Sequence, residues 1–248
     1  MAVYDCIMYF NETDVLRMHL AELYSIVDKF YITEATHTFT GKLKPWYFDD
    51  LPDWIDEYKD KIHRNFISFP DKDMTPWERE TYQRNMSVPI VDVDDNDRII
   101  IADADEIARP TALSYSGDPV HLDVTQYFWN LNWQVPAHCN QGARPVLLSG
   151  KDLHKQSPQE LRAARLKRIR WGGWHFSFLG AHDVPYKIEA FSHTELDLEE
   201  YKSLSQIGDR VTTGMDPFDR FPLKYTKIDA SYPRWVQRNQ QELSHLMM

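Results

Sequence analysis

The sequence predicts an α/β fold with one mixed sheet, parallel over the first half of the chain and joined by antiparallel strands in the second. Three observations lead there. Short apolar runs alternate with amphipathic segments over residues 1–110, and repeated strand–helix units give parallel strands with right-handed crossovers. One of those runs, Arg98-Ile99-Ile100-Ile101-Ala102, ends directly in Asp103-Ala104-Asp105-Glu106, so it reads as a buried strand with an acidic carboxyl end. After Pro110 the pattern becomes long, aromatic and roughly alternating, through Val120, Leu122, Val124, Tyr127, Trp129, Leu131 and Trp133, which suits antiparallel strands.

Each element follows from local chemistry. Residues 3–10 form an apolar, strand-like run, and residues 11–14 are polar and suited to capping. Residues 15–27 then read as a helix with Leu16, Leu20, Leu23 and Val27 on one face. Residues 30–33 are a second strand ending at Glu34, and residues 35–50 a polar and aromatic loop carrying Gly41, Lys42, Lys44 and Trp46. A short helix is expected over 54–61 and a third strand over 65–69. Thr75-Pro76-Trp77-Glu78 is a capping box with proline at the first helical position. The helix it opens carries Arg79, Glu80, Arg84 and Asn85. Further on, residues 159–169 are basic and read as helical, 171–179 as an aromatic strand and 188–204 as helical in part. No repeat or low-complexity linker divides the chain, so residues 1–248 are expected to form a single domain with a C-terminal extension.

Composition narrows the partners. Hydrophobic residues make up 42% and aromatics 13%, which is a globular balance. A formal charge of -10 argues against nucleic acid and anionic membranes as partners. Eight tryptophans and thirteen tyrosines supply flat faces that pack cores or stack on sugars and bases. No apolar stretch reaches transmembrane length and the first residues carry no secretory signal, so the expectation is a cytoplasmic protein without a transmembrane anchor. Cys6 and Cys139 lie too far apart in sequence for a metal-binding pair, and Cys6 reads as a buried thiol.

The acidic strand end carries the chemistry. In open α/β sheets ligands bind at the carboxyl edge of the strands. Carboxylates gathered there repel one another unless a cation compensates them. A divalent Mn²⁺ or Mg²⁺ shared with a substrate phosphate is an economical solution. Glycine-rich nucleotide loops, a P-loop and the zinc-protease and serine-hydrolase motifs are absent. Residues 92–97 resemble a calcium loop but lack its sixth-position glycine and twelfth-position glutamate, so they read as a solvated turn. His175 and His193 each sit among aromatics, and Asp183 suits a helix cap or a base.

Several segments occur together in order: Tyr4-Asp5-Cys6 to Asn11-Glu12, Trp77-Glu78-Arg79-Glu80-Thr81-Tyr82-Gln83-Arg84-Asn85, and the Asp-x-Asp-Glu strand end. After them come Gly173-Trp174-His175-Phe176-Ser177-Phe178-Leu179-Gly180, Lys187-Ile188-x-Ala190-Phe191-Ser192-His193-Thr194-Glu195, and residues 208–220. This constellation resembles glycosyltransferase family 17, the family of the β-1,4-mannosyl-glycoprotein 4-β-N-acetylglucosaminyltransferases. The resemblance implies a GT-A-like, Rossmann-type mixed sheet. It also implies a nucleotide-sugar donor such as UDP-GlcNAc, inversion at the anomeric carbon, and a glycan or glycoconjugate acceptor. Residues 1–110 would then bind the donor and 111–248 the acceptor.

On that reading Phe10, Asn11, Glu12, Glu34, Lys42, Arg84 and Asp103 face the donor. Asp103, Asp105, His175 and His193 are the candidate metal ligands, and Asp183 or Glu106 the candidate base, with Glu195 as a further alternative. Trp133, Trp171 and Trp174 are candidates for stacking on an acceptor sugar. Two other readings stay open: a metal-dependent phosphohydrolase or nucleotidyltransferase, and a non-catalytic carbohydrate-binding protein on a transferase fold.

Overall fold

A computed structural model describes residues 1–88, 93–140, 144–180 and 183–248. The first half contains β1 (Val3–Met8), α1 (Thr13–Leu23), β2 (Lys29–Ala35), β3 (Ile62–Ile67), α2 (Pro76–Met86), β4 (Arg98–Asp103) and β5 (Glu106–Ala108). Next come β6 (Val120–Phe128), β7 (Trp133–Gln134), β8 (Val146–Ser149), α3 (Gly150–Leu153), α4 (Pro158–Ala163) and β9 (Lys167–Ser177). The chain finishes with α5 (Val184–Ala190), α6 (Glu199–Lys202), α7 (Leu204–Thr213), β10 (Lys224–Tyr225) and α8 (Arg234–Arg238).

The sheet is mixed α/β, as the sequence predicts. β3, β2, β1 and β4 lie side by side and parallel. β8 then joins β4 antiparallel, and β6 joins β8 antiparallel. β9 runs parallel to β6 and also pairs antiparallel with the short β5. This arrangement is that of a GT-A-like fold. Side chains alternate across β4 because successive residues of a strand point to opposite faces. Ile100 and Ala102 join Ile7, Leu16, Leu20 and Phe30 in one core layer. Ile99 and Ile101 join Tyr4, Cys6 and Tyr31 in the other. A strand buried on both faces needs a continuous aliphatic run, and residues 99–102 supply it.

Element ends differ from expectation for local reasons. The first strand stops at Met8, and a Glu12 oxygen then accepts the Phe10 and Asn11 N–H groups at 3.2 Å each, turning the chain out of the sheet. Helix α1 starts earlier and ends at Leu23 instead of Val27. Residues 54–61 form only a 3-10 turn at Asp53–Glu57, and the third strand begins at Ile62. The alternating run from 120 breaks at Trp129, which takes a positive φ of 70°. The basic segment is a helix only to Ala163 and is already strand at Lys167. The Thr75 capping box forms on both sides: Glu78 N–H donates to Thr75 Oγ1 at 3.3 Å and Thr75 N–H to Glu78 at 2.7 Å. Cys6 is a fully buried free thiol. Asp92 lies outside the described residues. No described helix is long and apolar enough to cross a membrane.

Gly173 decides how closely β9 approaches the acidic turn. It pairs with Ala108 on β5, and a Cβ there would stand 2.3 Å from the Ile107 carbonyl oxygen. Both partners are backbone, so nothing can swing aside. Gly173→Ala should lower stability by about 1–3 kcal/mol, the usual cost of overpacking, read from the urea midpoint. An unchanged midpoint would show that β5 and β9 can part without cost.

Candidate active site

Strands β1, β2 and β4 end at one edge, where a cleft of about 290 Å³ opens. Phe10, Glu12, Lys44, Arg84, Asp103 and Asp105 line it, with His175, Lys187 and His193 on the facing side of the chain. The acidic turn is fixed on both flanks. Ala104 N–H donates to Met8 O at 2.9 Å, and Phe176 N–H donates to Asp105 O at 2.9 Å.

Each carboxylate of the turn has a protein cation. Asp103 accepts from Arg84 at 3.1 Å and from Arg162 at 2.9 Å. Glu106 accepts two bonds from Arg162, both at 2.7 Å, and also takes the Asp103 N–H at 3.0 Å. Asp105 is held by Lys187 at 3.0 Å and lies 3.3 Å from His175 Nε2. Lys187 also reaches Glu12 at 3.1 Å.

Burial opposes all these charges, and the partners outweigh it. Burial alone would raise the Asp105 carboxyl, but the Lys187 ammonium and the His175 ring hold it far below the usual carboxylate range. Burial would lower Lys187, yet Asp105 and Glu12 push it above the ordinary lysine value. Asp103 is lowered in the same way: Arg162 and Arg84 overcome its desolvation. His175 is raised, because Asp105 more than offsets burial.

A second layer supports the turn from below. His19, on α1, is fully buried. Its Nδ1 lies 3.0 Å from the Ala104 carbonyl and its Nε2 2.8 Å from Asp5. A carbonyl only accepts, so Nδ1 carries a proton; a carboxylate only accepts, so Nε2 carries one too. Both contacts favour the imidazolium. Burial would lower its pKa, and Asp5 raises it above the ordinary histidine value.

The remaining expected residues occupy the flanks of the cleft. Phe10 packs between Tyr47 and Tyr186, with ring centroids at 5.5 and 5.3 Å. Asn11 and Asp183 line a smaller adjoining cleft of about 160 Å³, which shares Glu12 and Lys187 with the main one. Asp183 occupies the N-cap position of α5 without a side-chain hydrogen bond to the helix. His193 lines the main cleft, packs edge-on against Trp77 and bonds Glu195 at 2.7 Å.

Several expectations need correction. Glu106 is 0% exposed and chelated by Arg162, so it anchors the turn and cannot meet an acceptor hydroxyl. The Glu34 oxygens are occupied by Lys44 and by the Tyr47 and Phe48 N–H groups, so they do not face a donor. Lys42 turns outward to Glu189 at 2.8 Å. Trp174 is 2% exposed, donates to Ser231 O and lies under Arg109, leaving no face for a sugar. Trp133 donates to Val211 O at 2.8 Å, whereas Trp171 is 69% exposed.

Arg162, Lys187, Lys44 and His19 are the cleft and support residues that sequence reasoning passed over. Lys187 had a signal, because it stands four residues after Asp183 and so on the same side of a helix. Arg162 is one of many cations in a basic stretch, and nothing local distinguishes it.

The four expected metal ligands do not converge. Among the described residues no three of His, Cys, Asp or Glu gather around one point. Asp103 is taken by two arginines, and His193 pairs with Glu195. Asp105 Oδ1 and His175 Nε2, 3.3 Å apart, do have the separation of two ligands sharing one cation at about 2.0–2.2 Å. This pair joins an oxygen donor that suits Mg²⁺ or Mn²⁺ to an imidazole that Mg²⁺ seldom takes.

His19→Gln tests the support layer. A raised pKa gives stability that is complete below the unfolded value of about 6.5 and is lost as pH rises through the folded value. The wild-type advantage over His19→Gln should therefore be largest near pH 6, about 3–5 kcal/mol for a broken buried pair, and should shrink toward pH 9 in urea unfolding. A constant difference across that range would mean that the ring is neutral.

The turn, its cations and the aromatic wall belong to a fold whose likeness extends over nearly the whole chain. Comparison with curated proteins gives no match. The sequence model of glycosyltransferase family 17 matches residues 1–234 of the 248. The chain therefore belongs to glycosyltransferase family 17 and is a glycosyltransferase, acting between a sugar donor and an acceptor.

Proposed function

We propose that this glycosyltransferase moves GlcNAc from UDP-GlcNAc to a glycan hydroxyl with inversion, assisted by Mn²⁺ or Mg²⁺. The observation that carries the reading is the set of cations beside Asp103 and Asp105 at the sheet's carboxyl edge. Arg84 and Lys187 both line the cleft there, and a leaving nucleoside diphosphate needs such charge. Arginine meets phosphate oxygens bidentately, and lysine acts as a mobile point charge. Phe10, Tyr47 and Lys44 make an aromatic and cationic wall beside it, suited to a nucleobase, with the Lys44 ammonium 5.7 Å from the Phe10 ring and 4.9 Å from that of Tyr47. Asp105 and His175 would hold the divalent cation, which when bound supplies charge neutralisation for the diphosphate.

The acceptor side is built on the adjoining cleft. In an inverting displacement the acceptor oxygen bonds to the anomeric carbon as the bond to the diphosphate breaks. The electron pair leaves with UDP, and the hydroxyl proton goes to a base. Asp183 is the carboxylate we assign to that role. It lines the smaller cleft, on the other side of the Glu12 and Lys187 pair from the main one. Lys187 thereby stands between the groups that handle the donor and the acceptor.

Incubation with UDP-GlcNAc and a panel of glycans should release UDP with no free phosphate. Free phosphate as the main product would replace this reading with a hydrolase. In calorimetry Asp105→Ala should abolish the Mn²⁺-dependent part of UDP affinity, whereas Lys187→Met should weaken UDP with and without Mn²⁺, by on the order of 10-fold or more for a lost charge-assisted bond. Equal affinities in all three proteins would remove both residues from the donor site. Asp183→Asn should bind UDP normally and lower turnover by about 10²–10⁴-fold; turnover within a few-fold of wild type would return Asp183 to a structural role.

A further inference from the structure

The opposite end of β4 holds a second cavity, of about 450 Å³. β4 runs from Arg98 to Asp103, so the two sites are separated by about 17 Å, five strand steps of about 3.3 Å. Arg98 opens the strand and lines this cavity at only 9% exposure. Its Nη2 is buried with no hydrogen-bond partner. Among the described residues no carboxylate pairs with it. Burial holds the guanidinium below the usual arginine range, offset only by the Tyr115 phenol. Lys151, on the exposed side of the same cavity, adds a second cation. Tyr115, Ser116 and Asn96 add a phenol, a hydroxyl and an amide.

The carboxylates nearby are committed elsewhere. Asp95 lines the cavity, but its side chain is 72% exposed and lies 3.6 Å from His154. Asp97 accepts from the Ala2 N–H at 2.6 Å and the Asp94 N–H at 3.0 Å. A guanidinium nitrogen buried without a hydrogen-bond partner is costly, and a ligand that supplies the missing acceptor removes that cost.

We propose that this cavity binds a phosphorylated small molecule, with Arg98 and Lys151 on its phosphate. Two cations beside a phenol, a hydroxyl and an amide match a dianion better than a single carboxylate, and the lining carboxylate, Asp95, is turned to solvent. The cavity exceeds the needs of a bare phosphate, so the rest of the ligand lies against the apolar part of the lining, which includes Leu113, Leu147 and Leu148. The site faces away from the transfer cleft and shares none of its lining residues.

Inorganic phosphate is the probe. A ligand that binds only the folded state raises the melting temperature with concentration, so phosphate should stabilise the wild-type chain. Lys187→Met, which removes a cation of the transfer cleft and with it phosphate held there, should keep the part of that gain that comes from this cavity. Arg98→Leu should lose it, with phosphate affinity reduced on the order of 10- to 100-fold. Lys151→Ala, a change on the surface, should lose part of it and serves if Arg98→Leu does not fold. Acetate at the same ionic strength should give a much smaller shift. No phosphate shift, a shift lost in Lys187→Met but kept in Arg98→Leu and Lys151→Ala, or an equal shift with acetate would each overturn the proposal.

Discussion

The site depends on one constraint: three carboxylates within four residues, Asp103 to Glu106, must be folded into a largely buried turn. Arg162 makes that possible. It spans Asp103 and Glu106 with bonds of 2.7 to 2.9 Å while being almost wholly removed from solvent. Its charge is held more firmly than a free arginine's, because burial is outweighed by Asp103 and Glu106. With those two carboxylates neutralised from behind, Asp105 is left to the cleft, where its counter-charges, Lys187 and His175, come from the second half of the chain.

Such a network is a specificity device more than a stabilising one. Burying ions costs several kcal/mol each, which good geometry only about recovers. Its value lies in direction. The Arg162 fork fixes the orientation of Asp103 and Glu106, and the Asp5–His19 pair fixes the Ala104 carbonyl between Asp103 and Asp105. Helix α1 thus has two roles. Its apolar face packs on the sheet through Leu16, Leu20 and Leu23, and its one buried imidazole reaches under the acidic turn. Stability comes from the two core layers, on either side of β1 and β4, and the polar machinery sits on the edge they define.

The close approach of β5 to β9 links the halves. Gly173 lets the two backbones meet, and the resulting register places His175 opposite Glu106. A strand carrying His175 therefore arrives beside Asp105 by backbone pairing, before any side-chain attraction between them. Helix α5 begins shortly beyond that strand and carries Lys187 to the same edge. The edge that carries the cleft is parallel-sheet architecture, and the second half of the chain, through α4 and α5, adds Arg162 and Lys187 to it.

The sequence by itself determined the elements whose signal is local. The aliphatic run at 99–102 defines a strand buried on both faces, and Thr75-Pro76-Trp77-Glu78 defines a helix start, because periodicity and capping act within a few residues. The acidic strand end identified the cleft, and the ordered motifs identified the family. Only the tertiary structure decided which charges meet. Glu106 and Asp105 are neighbours in sequence and read alike, yet one faces inward to Arg162 and the other outward to Lys187, because successive side chains at a strand end take opposite sides. Trp174 and Trp171, three residues apart, likewise separate into core and surface. Partners such as Arg162, Lys187 and His19 lie 14 to 175 residues from the atoms they hold. Such pairings are set by how the strands are ordered in the sheet, and no local pattern encodes that.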